Sequence, residues 1–221
     1  MARHGEDVGV TRAPSSSVAP PAARLGARLA VVLVAALALG GLTSLGQTLL
    51  PDEVSSLANS VTGWTLPTIA LVLLTSRSFG EAAASGALSF IALTFGYAVV
   101  STLRGFTFDP LTWAVIGLLA GPVVGVATFA LRGRPMQAAL GGGLLAGLVI
   151  GEGVYGLTEV ADTTSPVYWW MAIAVGAALL LTMIARLRAA RPALVLVSVA
   201  ALTAIAFGIA YRALPLLFAA W

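Results

Sequence analysis

Residues 135–158 read PMQAALGGGLLAGLVIGEGVYGLT, 24 residues between Arg134 and Glu159 in which Glu152 is the only charge. A bilayer core about 30 Å thick is crossed by roughly 20 helical residues at 1.5 Å each, so this stretch is long enough to span once. Working outward, uncharged intervals recur at residues 29–51, 54–76, 82–103, 110–131, 163–185 and 192–211. The chain therefore reads as an all-α polytopic membrane bundle of seven transmembrane helices. The expected spans are about 29–50, 57–76, 82–103, 111–131, 136–157, 167–185 and 193–211, within a transmembrane domain at 25–213.

The composition agrees with that reading and narrows the chemistry. Of 221 residues, 59% are hydrophobic and 10% charged, against roughly 45–50% and 25% in soluble domains; the mean hydropathy is +0.98. Without cysteine there is no disulfide or thiolate metal site, and the one histidine, His4, lies in the N-terminal segment, so no metal and no cofactor are expected. A formal charge of +3 carried by scattered arginines argues against a nucleic-acid partner. The chain also lacks a phosphate-binding loop, an HExxH helix, a Gly-x-Ser-x-Gly elbow and an Asp-rich magnesium pair. ATP hydrolysis and metal-dependent prenyl ionisation are thereby disfavoured, whereas protonation chemistry without a metal stays open.

Arginine placement predicts the orientation, because basic residues flanking spans are retained in the cytoplasm. With the N-terminus inside, Arg24, Arg28, Arg77, Arg132, Arg134, Arg186, Arg188 and Arg191 fall on the cytoplasmic side, and only Arg104 and Arg212 fall outside. After seven crossings the C-terminus is external. Trp64, Trp113, Tyr168, Trp169 and Trp170 then cluster near the outer ends of their spans, where amphipathic rings favour the interface. Residues 1–24, rich in Pro and Ser, read as a disordered cytoplasmic tail rather than a signal peptide. Residues 214–221 read as a short segment along the outer interface. The expected location is the plasma or inner membrane, with lipid as the first partner.

Two glycine stripes stand out. Gly117, Gly121 and Gly125 recur every four residues in the fourth span, as do Gly143, Gly147 and Gly151 in the fifth. Small residues on one face let helix backbones approach closely in lipid. The short turn Arg132-Gly133-Arg134-Pro135 makes these helices antiparallel neighbours, so the two stripes are expected to pack against each other.

Glu152, in Gly151-Glu152-Gly153-Val154-Tyr155, lies about 10 Å from the outer end of its span. A charged residue within a span costs on the order of 2.5–3.5 kcal/mol on insertion scales, so it is usually kept for a partner or a function. Glu152 reads either as a structural group, bonding a neighbouring polar side chain to hold two helices together or meeting water at the interface, or as a catalytic proton donor. Gln47, Asn59, Trp64, Tyr97, Trp113 and Tyr155 fall in the same outer half of the bundle and are candidates for binding a small hydrophobic molecule. Asn59 and Ser60 are also read as caps of the second helix, and Glu81 as an acid at the start of the third.

At Gln47-Thr48-Leu49-Leu50-Pro51, Leu57-Ala58-Asn59-Ser60 and Trp64, then Gly121-Pro122 and Gly151-Glu152-Gly153, the chain resembles an uncharacterised family of small actinobacterial multi-pass membrane proteins. The resemblance runs from the first to the fifth helix and implies a shared fold. In size and seven-helix plan the chain also looks like the small integral-membrane terpene cyclases. That likeness implies a metal-independent enzyme that protonates an isoprenoid, with Glu152 as the donor and Trp64, Tyr97, Trp113 and Tyr155 as rings facing developing carbocations. The alternatives are a substrate-binding membrane subunit of a small-molecule uptake transporter and a non-catalytic membrane scaffold.

Overall fold

A computed structural model describes residues 21–218, and among the described residues the secondary structure is helical. The elements are α1 (Pro21–Leu49), a 3-10 turn (Ser55–Asn59), α2 (Val61–Thr75), α3 (Phe79–Leu103), α4 (Pro110–Ala130), α5 (Pro135–Glu159), α6 (Pro166–Leu187) and α7 (Ala190–Phe218). Local sequence sets the helix starts. Proline opens α4, α5 and α6, where its missing N–H costs nothing. The side chains of Ser60, Ser78, Asp109 and Ser165 each accept a first-turn amide of α2, α3, α4 and α6. Ser60 is therefore the cap expected of it, whereas Asn59 is not.

Among the described residues, six helices are long and apolar enough to cross a membrane. The second expected span differs. Residues 57–76 do not form one helix: the chain turns through Ser55–Asn59 and only then enters α2, which has 15 residues, roughly 22 Å of helix. The outer bounds shift as well. α1 begins at Pro21, inside the segment expected to be tail, and α7 runs on to Phe218 instead of ending near 211. The expected disorder of residues 1–20 and the placement of 219–221 lie outside the described residues.

The expected pairing of the two glycine stripes is overturned. A Cβ on Gly121 or Gly125 would collide with the α3 backbone at Gly86 and Ala82, while one on Gly143, Gly147 or Gly151 would meet α7 at Leu196, Ala200 and Ala204. The α4 stripe thus packs on α3 and the α5 stripe on α7. α4 and α5 do adjoin, but through Gly141 against Ala127. A third close approach joins α1 to α3, where Gly40 abuts the Leu93 carbonyl and Gly96 the Leu37 carbonyl. The bundle consequently has two tight groups, α1 and α4 on either side of α3, and α6 and α7 on either side of α5. α5 is buried on several faces at once, and its seven buried glycines, Gly141, Gly142, Gly143, Gly147, Gly151, Gly153 and Gly156, are what allow it to be crowded from those sides.

Polar contacts add specificity where lipid supplies no hydrophobic drive. Ser44 bonds Ser101 between α1 and α3 at 2.9 Å, Thr68 bonds Ser89 between α2 and α3 at 2.8 Å, and Ser60 bonds Tyr168 on α6 at 2.5 Å. Charged pairs tie the ends. Arg28 meets Glu81 at one end of the bundle and Arg212 meets Glu159 at the other, each at 2.8 Å. Arg104, at the end of α3, donates to the Ser44 carbonyl and to Thr48 at the end of α1.

Candidate functional site

The entry to α2 decides the shape of the site. Because the chain reverses at Ser55–Asn59, the start of α2 sits inside the bundle, with Ser60 and Thr62 buried. The first amides of a helix have no partners within the helix and need acceptors when water is excluded. Ser60 Oγ takes the Gly63 N–H at 2.9 Å. Glu152, projecting from α5, takes two more: Oε1 accepts from the Val61 N–H at 2.5 Å and Oε2 from the Thr62 N–H at 2.6 Å. Glu152 is 4% exposed, and its carboxyl faces the positive end of the α2 dipole. Glu152 thus joins α5 to α2, through backbone amides where a neighbouring polar side chain was the expected partner.

Next to this junction lies a cavity of about 460 Å³. Gln47 of α1, Asn59 and the first turn of α2, Phe90, Thr94 and Tyr97 of α3, Trp113 and Ile116 of α4, Leu148 of α5 and Tyr211 of α7 form its walls, with Phe108 from the α3–α4 loop. Five of the residues expected to bind a small molecule, Gln47, Asn59, Trp64, Tyr97 and Trp113, line it together. Along one wall Trp64 lies 5.6 Å from Tyr97, whose ring meets Phe108 edge-on at 4.6 Å, and the Tyr97 hydroxyl donates to Gln47 Oε1 at 2.9 Å.

Two expected residues stand elsewhere. Tyr155 is not in the wall; it packs edge-on against Tyr211 at 4.9 Å and lies 6.4 Å from Phe207, so it buttresses the ring that is in the wall. Glu152 is also outside the lining, with both of its oxygens turned to the α2 amides. No Asp, Glu, Lys, Arg or His lines the cavity among the described residues.

Thr65, Thr94, Phe90 and Tyr211 are wall residues that the sequence reading did not single out. A signal existed for the threonines. Thr62, Thr65 and Thr68 recur at helical spacing on α2 and all three are buried, and a polar stripe on a membrane helix faces the bundle interior. The Thr65 hydroxyl, fully buried, has no hydrogen-bond partner. Tyr211 had no comparable signal, since it reaches the cavity only because the α5 glycines draw α7 close.

Residues 19–216 match a family of unknown function (DUF6518), and the chain belongs to that family. This bears out membership of an uncharacterised family. No curated protein and no solved structure matches the chain.

Proposed function

We propose that this DUF6518 protein is a multi-pass membrane protein that binds a small, uncharged, ring-bearing or unsaturated molecule in the outer half of the bundle. The observation that carries this reading is the cavity wall itself: six aromatic rings, Trp64, Phe90, Tyr97, Phe108, Trp113 and Tyr211, with Gln47, Asn59, Ser60, Thr65 and Thr94 as the polar groups. Pockets of a few hundred Å³ that combine apolar walls with a few placed polar groups are the usual form of small-molecule sites. A charged ligand would be desolvated there without a counter-ion, which is costly in so apolar a setting. α4 and α7 flank the cavity without packing extensively on one another, which supports entry sideways from lipid.

The topology that goes with this reading has seven crossings, N-terminus inside and C-terminus outside, in the plasma membrane. Six come from the long helices, and the 3-10 turn with α2 makes the seventh. The Arg28–Glu81 pair supports it, because the starts of α1 and α3 share one end of the bundle and the chain between them must return.

The aromatic wall also suits a carbocation, which is the requirement of a cyclase. A cyclase needs an acid within reach of the alkene, however, and the nearest candidate, Glu152, spends both oxygens on backbone amides. Binding, as in the membrane subunit of an uptake system, is therefore the preferred reading. The test is mass spectrometry of small molecules that co-purify with the protein in native-lipid discs, compared with Ala120→Trp, which places a ring in the cavity. An uncharged molecule retained by the native chain and lost from the variant is the expected result. Identical small-molecule content in both would overturn the proposal.

A further inference from the structure

Glu152 is a carboxylate at membrane depth, and the ion pairs among the described residues do not include it. Its partners are two donors that cannot accept, the Val61 and Thr62 amides. Two amides converging on the two oxygens favour the ionised group over the protonated one. Protonation reduces the acceptor capacity of the carboxyl and removes its charge, which weakens its hold on the two N–H groups. Conversely, if the start of α2 moves away, the carboxylate is left buried without donors, a state of high energy. Separation of α2 and protonation of Glu152 therefore accompany one another, and by linkage each promotes the other. The turn that Glu152 holds carries Ser60, Val61, Trp64 and Thr65, all in the cavity wall.

We propose that Glu152 is the positioning residue of the cavity, a proton-operated latch that holds the α2 wall in place when ionised and frees it when protonated. The inference rests on the cavity being a binding site. The titratable groups near the latch are few: Tyr168 of α6, whose hydroxyl bonds Ser60, Tyr155 on the same helix as Glu152, and Tyr211 of α7, which packs on Tyr155 at 4.9 Å, while α2 offers only amides and hydroxyls. Ser60 links the latch to α6 through Tyr168 at 2.5 Å, so release loosens the α2 contact to both α5 and α6.

The experiment uses the full chain in lipid nanodiscs, labelled with 5-fluorotryptophan, the Trp64 resonance being assigned with Trp64→Phe. Fluorine spectra are recorded from acid up to about pH 9, below the ordinary phenol pKa of about 10. In parallel, photolabelling of the cavity by benzophenone, an uncharged two-ring probe, is quantified over the same interval. The Trp64 resonance is expected to titrate in the native chain and to be flat in Glu152→Gln. Benzophenone labelling should fall several-fold on acidification of the native chain and stay constant in the variant. A Trp64 resonance that does not titrate in the native chain overturns the latch, whatever the variant's folding. A titration that persists in Glu152→Gln overturns the assignment to this residue. A titrating Trp64 with no cavity labelling at any pH overturns the binding reading and leaves the latch standing.

Discussion

The Arg28 guanidinium lies 2.8 Å from the Glu81 carboxylate, which brings the N-terminal third of α1 and the first turn of α3 to the same end of the bundle. Glu81 also accepts the Arg77 N–H at 2.9 Å, so one carboxylate gathers the start of α1, the end of the α2 segment and the start of α3. Its expected role as a helix N-terminal acid is present, and the ion pair is an addition to it. At this same end Arg132 donates to the Leu73 carbonyl and Arg186 to the Leu131 carbonyl. The arginines that mark the expected cytoplasmic side thus also tie helix ends.

Reporter fusions after Arg77, Arg134 and Arg191 should read cytoplasmic, and fusions after Asp109 and Asp162 external. A cytoplasmic reading for the C-terminus would remove one crossing. The short α2 segment would be the first suspect, since a 15-residue helix falls short of the roughly 20 residues a bilayer core requires.

Replacing Gly121 or Gly147 by leucine should lower the melting temperature in detergent sharply, since the new side chain meets α3 or α7 backbone that cannot yield; overpacking of this kind costs about 1–3 kcal/mol or more. Gly208→Leu is the control, as a Cβ there meets nothing closer than the tip of Arg212 at 3.9 Å. Equal losses at all three positions would show that the glycine contacts are not what holds the helices together.

Tyr168→Phe removes the hydroxyl that bonds Ser60 at 2.5 Å and leaves the ring packed against Trp169. Interhelical hydrogen bonds of this kind in membranes are worth about 0.6 kcal/mol on average and about 1.7 at most. A loss in that range by unfolding in a denaturing detergent series is the expected result, and no measurable loss would mean that the bond is replaced by water.

Glu152→Ala should destabilise the bundle by about 1–3 kcal/mol, because two α2 amides would be left buried without acceptors. Glu152→Gln should cost less, as its amide oxygen can still take one of them. Equal stability of the alanine variant and the native chain would show that water reaches the start of α2.

Gln47→Leu cuts the bond from Tyr97 and converts one polar patch of the cavity wall to hydrocarbon. The variant should fold as the native chain does while retaining less of the co-purifying molecule. Unchanged retention would place the polar contacts of the ligand at Asn59 or Thr94 instead.

The helical membrane class was legible without coordinates, because long uncharged intervals have few alternatives in a chain this apolar. Among the described residues, six long apolar helices overlap the uncharged intervals. The site was partly legible for the same reason, since Glu152 and the outer-half polar and aromatic residues are costly to place in lipid without a purpose. Charge spacing could not reveal the break at Ser55–Asn59, since a 3-10 turn and a helix there are equally uncharged. Nor could glycine spacing name its partner: a stripe says that some backbone comes close, and only the packing of all helices together decides whether that backbone belongs to α3, α4 or α7. Glu152 shows the same division. Its burial cost was readable from its position in the span, but its role as an acceptor was not, because the amides of Val61 and Thr62 lack partners only after the chain has turned at Asn59 and begun α2 beside it.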